Sequence, residues 1–305
     1  MHEIRRIGII GTGVMGTGIA RVLALSGYTV QIVKWTEGTA EAARAKFELA
    51  VMKDVERGKL TSLQGSWLQQ RLVWSEGRRH GLDRCDLVIE AIVEDEEEKV
   101  KCFAAICPDL KQSAILATTT SSLGIEALAR ATGRPQTFLG LHFFNPPTAM
   151  KLVELVVTDA LDPQCVLWMR SFLSEIGKEA VEVRDAPGFV VNRLLVAQFM
   201  EAIRMAFGRD RVADVAGIDA CMRHGANHPM GPFELMDFIG LDVVLAMAGN
   251  LLEGLRQPQF APAAVLEDMV ANGWLGRKSG LGFYDYADRK KPVPNPGLAA
   301  LVSGS

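Results

Sequence analysis

The sequence predicts an α/β protein: a mostly parallel sheet flanked by helices in the N-terminal part, then an all-helical C-terminal part. Three observations carry this. Short apolar, β-branched runs alternate with helical segments in the first half. Glycines 11, 13 and 16 punctuate the first strand-to-helix junction. After "DAPGFVVNR" (Asp185–Arg193) the alternation stops and helical spacing takes over. The 305 residues suit two domains, and 49% hydrophobic with 23% charged residues reads as a globular chain.

The elements follow in order. "RIGIIG" (Arg6–Gly11) is the first strand, and "VMGTGIARVLALSG" is the helix it feeds. "YTVQIVK" (Tyr28–Lys34), "CDLVIEAIV" (Cys85–Val93), "SAILATTT" (Ser113–Thr120) and "TFLGLHFF" (Thr137–Phe144) repeat the strand type. Between them "EDEEEKVKCFAAICPDL" opens acidic and continues with helical spacing. Near-continuous apolar strands separated by helices predict a parallel sheet buried on both faces. "MKLVEL" returns with alternating character after the prolines Pro146 and Pro147. The boundary is placed near Val183–Pro187, giving domains 1–184 and 185–305. Beyond it "FVVNRLLVAQFMEAIRMAFG", "VADVAGIDACMRHG", "PFELMDFIGLDVVLAMAGNLLEGL" and "PAAVLEDMVANGWLG" keep helical spacing. The tail after Tyr286 is expected to fray.

Several classes are set aside. The net charge of -3 creates no basic field for nucleic acid. No apolar run reaches the ~18 residues of a membrane span. No signal peptide is read at the N-terminus, and five scattered cysteines without a CxxC pair indicate neither a disulfide framework nor zinc. The expectation is a metal-free cytoplasmic protein with free thiols.

"GTGVMG" (Gly11, Gly13, Val14, Met15, Gly16) has the GxGxxG spacing, after a strand and opening a helix. In that context the first glycine makes a tight turn, the second admits a pyrophosphate, and the third lets helix pack on strand. A Rossmann-like domain binding NAD or NADP is expected. Folds that bind NAD usually close the second strand with an acid for the ribose hydroxyls; here Lys34 stands. An ammonium cannot accept a hydrogen bond, but it can pair with a 2′-phosphate. The alternative is a solvent-facing Lys34, with Glu37 or a backbone carbonyl serving the ribose and Trp35 covering the adenine or simply packing.

"HFFNPPTAMKLVE" places His142 at the C-terminal end of a strand, where ligands of open α/β sheets bind. The "NPPT" turn reverses the chain. If Val153 and Leu155 face the core, Glu154 faces the other side, toward His142. A carboxylate on one ring nitrogen fixes the tautomer and stabilises the imidazolium, which suits alcohol oxidation with hydride leaving for a nicotinamide. His224 and His228 flank "GAN", and none of His2, His80, His224 and His228 belongs to an HExxH motif.

The stretches "IGIIGTGVMGTGIA", "DLVIEAIVED", "TTTSSLGIEALA", "GLHFFNPPTAMKLVELV", "DAPGFVVNRLL", "GANHPMGPFELMDFIGLD" and "GWLGRKSGLGFYDY" occur in order over nearly the whole chain. Together they resemble the 3-hydroxyacyl-CoA dehydrogenases, including the short bacterial 3-hydroxybutyryl-CoA type. The resemblance implies His142 as base, Glu154 as its partner, Ser121 on the substrate's 3-oxygen, and Asn192 as an amide from the helical domain. It places Glu94 and Lys99 near the nicotinamide, and implies a homodimer formed through the helical domain with the active site in the interdomain cleft. Plainer readings stand beside these: Ser121 as a helix N-cap, Asn192 as a packing amide, Glu94 as a helix-start acid, and Lys99 paired with Asp95. The chain departs from the family at Lys34, and at Thr119 where Asn is usual. The family's serine near coenzyme A is not placed, and Arg57 and Lys59 either meet phosphate or form a solvated patch. Two alternatives therefore stay open: an acyl carrier protein substrate of polyketide extender-unit pathways, and a non-catalytic nucleotide-binding relative.

Overall fold

The structure, a computed structural model, describes residues 4–75, 77, 81–209 and 211–298. The chain divides into two compact units, Met1–Ala186 and Pro187–Ser305.

The first unit runs β1 (Arg6–Ile10), α1 (Val14–Leu25), β2 (Thr29–Val33), α2 (Glu41–Glu56), α3 (Ser62–Arg71), β3 (Leu72–Trp74), β4 (Leu87–Glu90) and α4 (Glu96–Ile106). It continues with β5 (Ile115–Thr118), α5 (Ile125–Ala131), β6 (Phe138–Phe143), β7 (Leu152–Val157), α6 (Pro163–Glu175) and β8 (Glu179–Arg184). The sheet order is β3-β2-β1-β4-β5-β6-β7-β8. Strands up to β6 are parallel, β7 is antiparallel to β6, and β8 is parallel to β7. The inner strands β4, β5 and β6 are buried at every residue, so they read as apolar runs broken only near their C-terminal ends by Glu90, Thr118 and His142.

One face of the sheet packs Ile7, Ile9, Ile32, Ile89, Leu141 and Leu155 against Ile19 and Leu23 of α1 and Phe172 of α6. The opposite face receives α4 and α5, where Phe103 meets Phe138 edge-on at 5.0 Å and a side chain on Gly140 would collide with Ile125. Helix starts are chemically marked. Thr61 and Gln64 form a capping box on α3, Asp95 caps α4 ahead of three glutamates, and Asp162 caps α6.

The second unit holds α7 (Val191–Phe207), α8 (Val215–Gly225), α9 (Pro232–Ile239), α10 (Leu241–Leu255) and α11 (Ala264–Ala271), around Phe199, Phe233, Met236, Leu241 and Phe283. Among the described residues no single helix is long and apolar enough to cross a membrane. The apolar pair α9 and α10 bends by 99° at Gly240, whose φ is +107°. Two buried carboxylates tie the chain together. Asp219 accepts from the N–H groups of Phe233 and Glu234 and from the Tyr284 hydroxyl. Asp237 accepts from Phe283 N–H, Tyr284 N–H and the Tyr286 hydroxyl.

From Tyr286 to Leu298 the structure differs from the expected fraying, since β9 (Tyr284–Asp285) pairs antiparallel with β10 (Val293–Pro294); the expectation for residues 299–305 lies outside the described residues. The buried Asn295 then donates Nδ2–H to Gly282 O at 2.8 Å, and the segment folds back on the unit.

Candidate active site

Between β1 and β4 the strand order reverses, so the crevice at their C-terminal ends is a topological switch point. The glycine turn fills it. Gly11 has φ +126°, and a Cβ there would lie 2.2 Å from the carbonyl oxygen of Ala91. A Cβ on Gly16 would lie 2.2 Å from the Gly11 carbonyl, so only glycine lets α1 approach β1 this closely. Gly13 is different. It is the N-cap of α1 with φ -74°, and nothing lies within 4 Å of where its Cβ would stand. Its lack of a side chain relieves no crowding inside the protein; it leaves room for something outside. The first turn carries no capping side chain and no acid, and Val14 beside it is 69% exposed. Helix N–H groups, a positive dipole end and absent bulk suit the pyrophosphate of a dinucleotide.

Lys34 follows β2 directly. Its Nζ donates to the Glu37 carbonyl at 2.5 Å, curling the loop around the ammonium. A cation therefore stands where NAD-binding folds offer a carboxylate. Trp35 donates its indole N–H to Glu98 of α4 at 3.4 Å, which anchors the ring from one side. Arg57 and Lys59 are exposed to solvent.

Further along the same edge, β6 and β7 form an antiparallel ladder in which His142 lies opposite Glu154. Their neighbours Leu141, Phe143, Val153 and Leu155 all point into the core on the other face. The period-two alternation thus turns both polar side chains to one side. His142 Nδ1 stands 2.6 Å from Glu154 Oε2, with 5% and 1% of the two residues exposed. Phe144 packs on the imidazole, ring centroids 4.6 Å apart.

The loops after β4 and β5 meet beside this hairpin's strand. Glu94 Oε1 accepts from the Thr120 hydroxyl at 2.5 Å, Ser121 N–H at 2.9 Å, Ser122 N–H at 3.2 Å, and more weakly from the Ser121 hydroxyl at 3.4 Å. Partial burial pushes the Glu94 carboxyl up, but Lys99 and these hydrogen bonds outweigh it and hold it below its ordinary value. Glu94 thereby fixes the loop that carries Ser121. Ser121 is not a helix cap: α5 begins at Ile125 with Gly124 as N-cap.

Lys99 has no exposed surface, and it does not pair with Asp95, which caps α4 through Glu98 N–H. Its ammonium lies 2.7 Å from Glu90 and 3.4 Å from Glu94. Glu90 also accepts from the Thr118 hydroxyl at 2.6 Å and Ile92 N–H at 2.7 Å. Sequence reasoning missed Glu90 as a partner. A carboxylate closing the apolar run "LVIE" was the available signal.

Asn192 lies in the first turn of α7, half-buried, in the second unit. That turn is set by Gly188 and Phe189, both left-handed at φ +69° and +46°. His2 and His80 lie outside the described residues. His224 is exposed and His228 half-buried. Among the described residues no three His, Cys, Asp or Glu side chains cluster to hold a metal.

Comparison with known proteins identifies a family. The family description "3-hydroxyacyl-CoA dehydrogenase, NAD binding domain" matches residues 6–186, and "3-hydroxyacyl-CoA dehydrogenase, C-terminal domain" matches residues 188–286. A 3-hydroxybutyryl-CoA dehydrogenase of Bradyrhizobium diazoefficiens is 42% identical over 291 residues, covering 95% of this chain and 98% of that protein. The crystal structure of FadB2 from Mycobacterium tuberculosis aligns with a TM-score of 0.87 at 39% identity, covering 93% of this chain and 99% of that one. That of (S)-3-hydroxybutyryl-CoA dehydrogenase PaaH1 from Ralstonia eutropha gives 0.87 at 35% identity, with coverage of 94% and 100%.

Proposed function

This chain belongs to the 3-hydroxyacyl-CoA dehydrogenase family, and we propose that it moves a hydride between a nicotinamide cofactor and C3 of a short 3-hydroxyacyl-CoA. The observation that carries the reading is the buried His142–Glu154 pair on the sheet edge that also holds the glycine turn.

In the oxidation direction His142 is the base. With the Glu154 carboxylate at Nδ1, the neutral ring keeps its proton there and presents Nε2 as acceptor to the substrate hydroxyl. As that proton arrives, the buried carboxylate stabilises the imidazolium at short range. The backbone of Gly11, Gly13, Val14, Met15 and Gly16 would hold the pyrophosphate of the cofactor, whose nicotinamide would supply the hydride acceptor when bound. In the reduction direction, protonated His142 and the Ser121 hydroxyl donate to the oxygen as it gains charge. Glu94 supports this through the loop it holds. Asn192 is assigned to the substrate on its motif, as an amide donor.

For the cofactor, the finer reading is that Lys34 admits NADP. Its ammonium sits in the loop that receives the adenosine ribose and offers a donor to a 2′-phosphate. The carrier is read as coenzyme A from the relatives, and comparing one acyl group on coenzyme A and on an acyl carrier protein decides between the two.

The test uses purified protein with acetoacetyl-CoA and NADH or NADPH. Thioester-dependent oxidation of the nicotinamide is expected, with loss of activity in His142→Gln. No turnover of any short 3-oxoacyl thioester, or equal activity in the variant, refutes the reading.

A further inference from the structure

The turn joining the two catalytic strands is held from outside the hairpin. Lys178 is the residue before β8, and Glu179 N–H donates to the Lys151 carbonyl at 2.9 Å, so the start of β8 is registered on the start of β7. From there the Lys178 ammonium reaches back to the turn. It donates to the carbonyl of Pro147 at 2.5 Å and to that of Met150 at 2.7 Å. Only 9% of the residue is exposed, and burial lowers its pKa from the ordinary lysine value. Within the turn, Ala149 and Met150 N–H groups both point to the Pro146 carbonyl, at 3.0 and 3.1 Å. The ring of Pro147 packs on α1: a Cβ on Gly18 would lie 3.1 Å from its Cδ.

Desolvating an ammonium against two neutral carbonyls is a poor way to gain stability. An apolar side chain of similar volume would fill the space without that penalty. What the ammonium adds is direction, because it fixes two carbonyls of one turn at once. That turn bridges His142 to Glu154 on one side and touches the nucleotide-binding helix on the other.

We propose that Lys178 is a positioning residue for the reaction: by tying the Pro147 and Met150 carbonyls and seating Pro147 on Gly18, it sets where the His142–Glu154 pair stands relative to α1. This rests on the reading of His142 as the base. Hydride and proton transfer require both partners in register, and a displacement of ~1 Å can lower the rate ~100-fold.

Three variants test it: Lys178→Met, Lys178→Arg and Gly18→Ala. Each is measured for kcat and KM, for melting temperature, and for the proton resonance of the His142–Glu154 hydrogen bond. Lys178→Met is expected to lower kcat by roughly 10- to 100-fold with thioester KM nearly unchanged, and to shift the bridging proton. Lys178→Arg recovers part of kcat. Gly18→Ala pushes Pro147 directly and lowers kcat with Lys178 in place. A folded Lys178→Met protein with unchanged kcat and resonance overturns the proposal. If Lys178→Met does not fold, Gly18→Ala decides in the same terms. His142→Gln separates the two readings. Retained activity there removes the base assignment and the proposal with it, whereas an inactive His142→Gln beside fully active Lys178 and Gly18 variants removes the positioning role alone.

Discussion

Replacing Glu154 by Gln removes one charge and almost no volume. The site is suited to this change, because Glu154 is 1% exposed and its Oε2 lies 2.6 Å from His142 Nδ1. The glutamine carbonyl can still accept from Nδ1–H, so the tautomer survives. The charge that holds the imidazolium does not. A hydrogen bond to a charged group contributes about 1.5–3 kcal/mol, against about 0.5–1.5 kcal/mol for a neutral one. The difference acts mainly once the ring is protonated, in the transition state. A loss of about 1–2 kcal/mol lowers kcat by roughly 5- to 30-fold. KM for the thioester should stay nearly constant, since the ground state holds a neutral ring. The assay is steady-state oxidation of 3-hydroxybutyryl-CoA, the direction in which His142 starts as the base, followed by nicotinamide absorbance, with circular dichroism to confirm folding. A folded variant whose kcat equals that of the unmodified protein refutes the reasoning and leaves the pair a packing feature.

Gly13→Ala should melt like the unmodified protein, since the new methyl meets nothing within 4 Å, yet lose most nucleotide affinity in a fluorescence titration; tight binding by the variant would contradict the assignment of the turn. Lys34→Asp should move the ratio of NADH to NADPH efficiency toward NADH by at least ~10-fold, as restored acceptance of the ribose hydroxyls and repulsion of a 2′-phosphate act together; an unchanged ratio removes Lys34 from cofactor choice. Asp237 gives a pH dependence. Burial pushes its carboxyl up to about 6 from an ordinary 3.8, despite the hydrogen bonds it accepts. The folded chain therefore holds this proton more tightly than the unfolded chain, and the group's contribution is full below 3.8 and lost as pH rises through about 6. Urea midpoints should show the unmodified protein losing roughly 3 kcal/mol relative to Asp237→Asn over that interval; parallel curves would contradict it.

The sheet was legible where burial is complete. β4, β5 and β6 are mostly apolar because both faces are covered, with Glu90, Thr118 and His142 as the polar exceptions near their C-terminal ends, and their runs stand out in the chain. Two strands of this large sheet escaped notice. β3 has three residues and starts directly after the last residue of α3, with no breaker between them. β8 is an edge strand on which only Val183 is buried, so "EAVEVR" reads as polar surface. The His142–Glu154 contact was readable because a turn signal and a period of two fix parity. For Lys99, helix spacing offered Asp95 as an alternative partner, while the ammonium meets Glu90 on a strand in tertiary contact. Ser121 suggested a cap because Ser often precedes helices; Glu94 drew the loop away, and the helix starts later. Lys178 left no sequence trace, since its acceptors are backbone carbonyls that any residue could supply.

A crystal structure of the protein with oxidised nicotinamide and a 3-hydroxybutyryl thioester would measure the decisive distance. His142 Nε2 should lie within hydrogen-bond reach of the C3 oxygen, at about 2.6–3.2 Å, while Nδ1 stays on Glu154. A C3 oxygen held by other groups, with the imidazole turned away from it, would contradict the account.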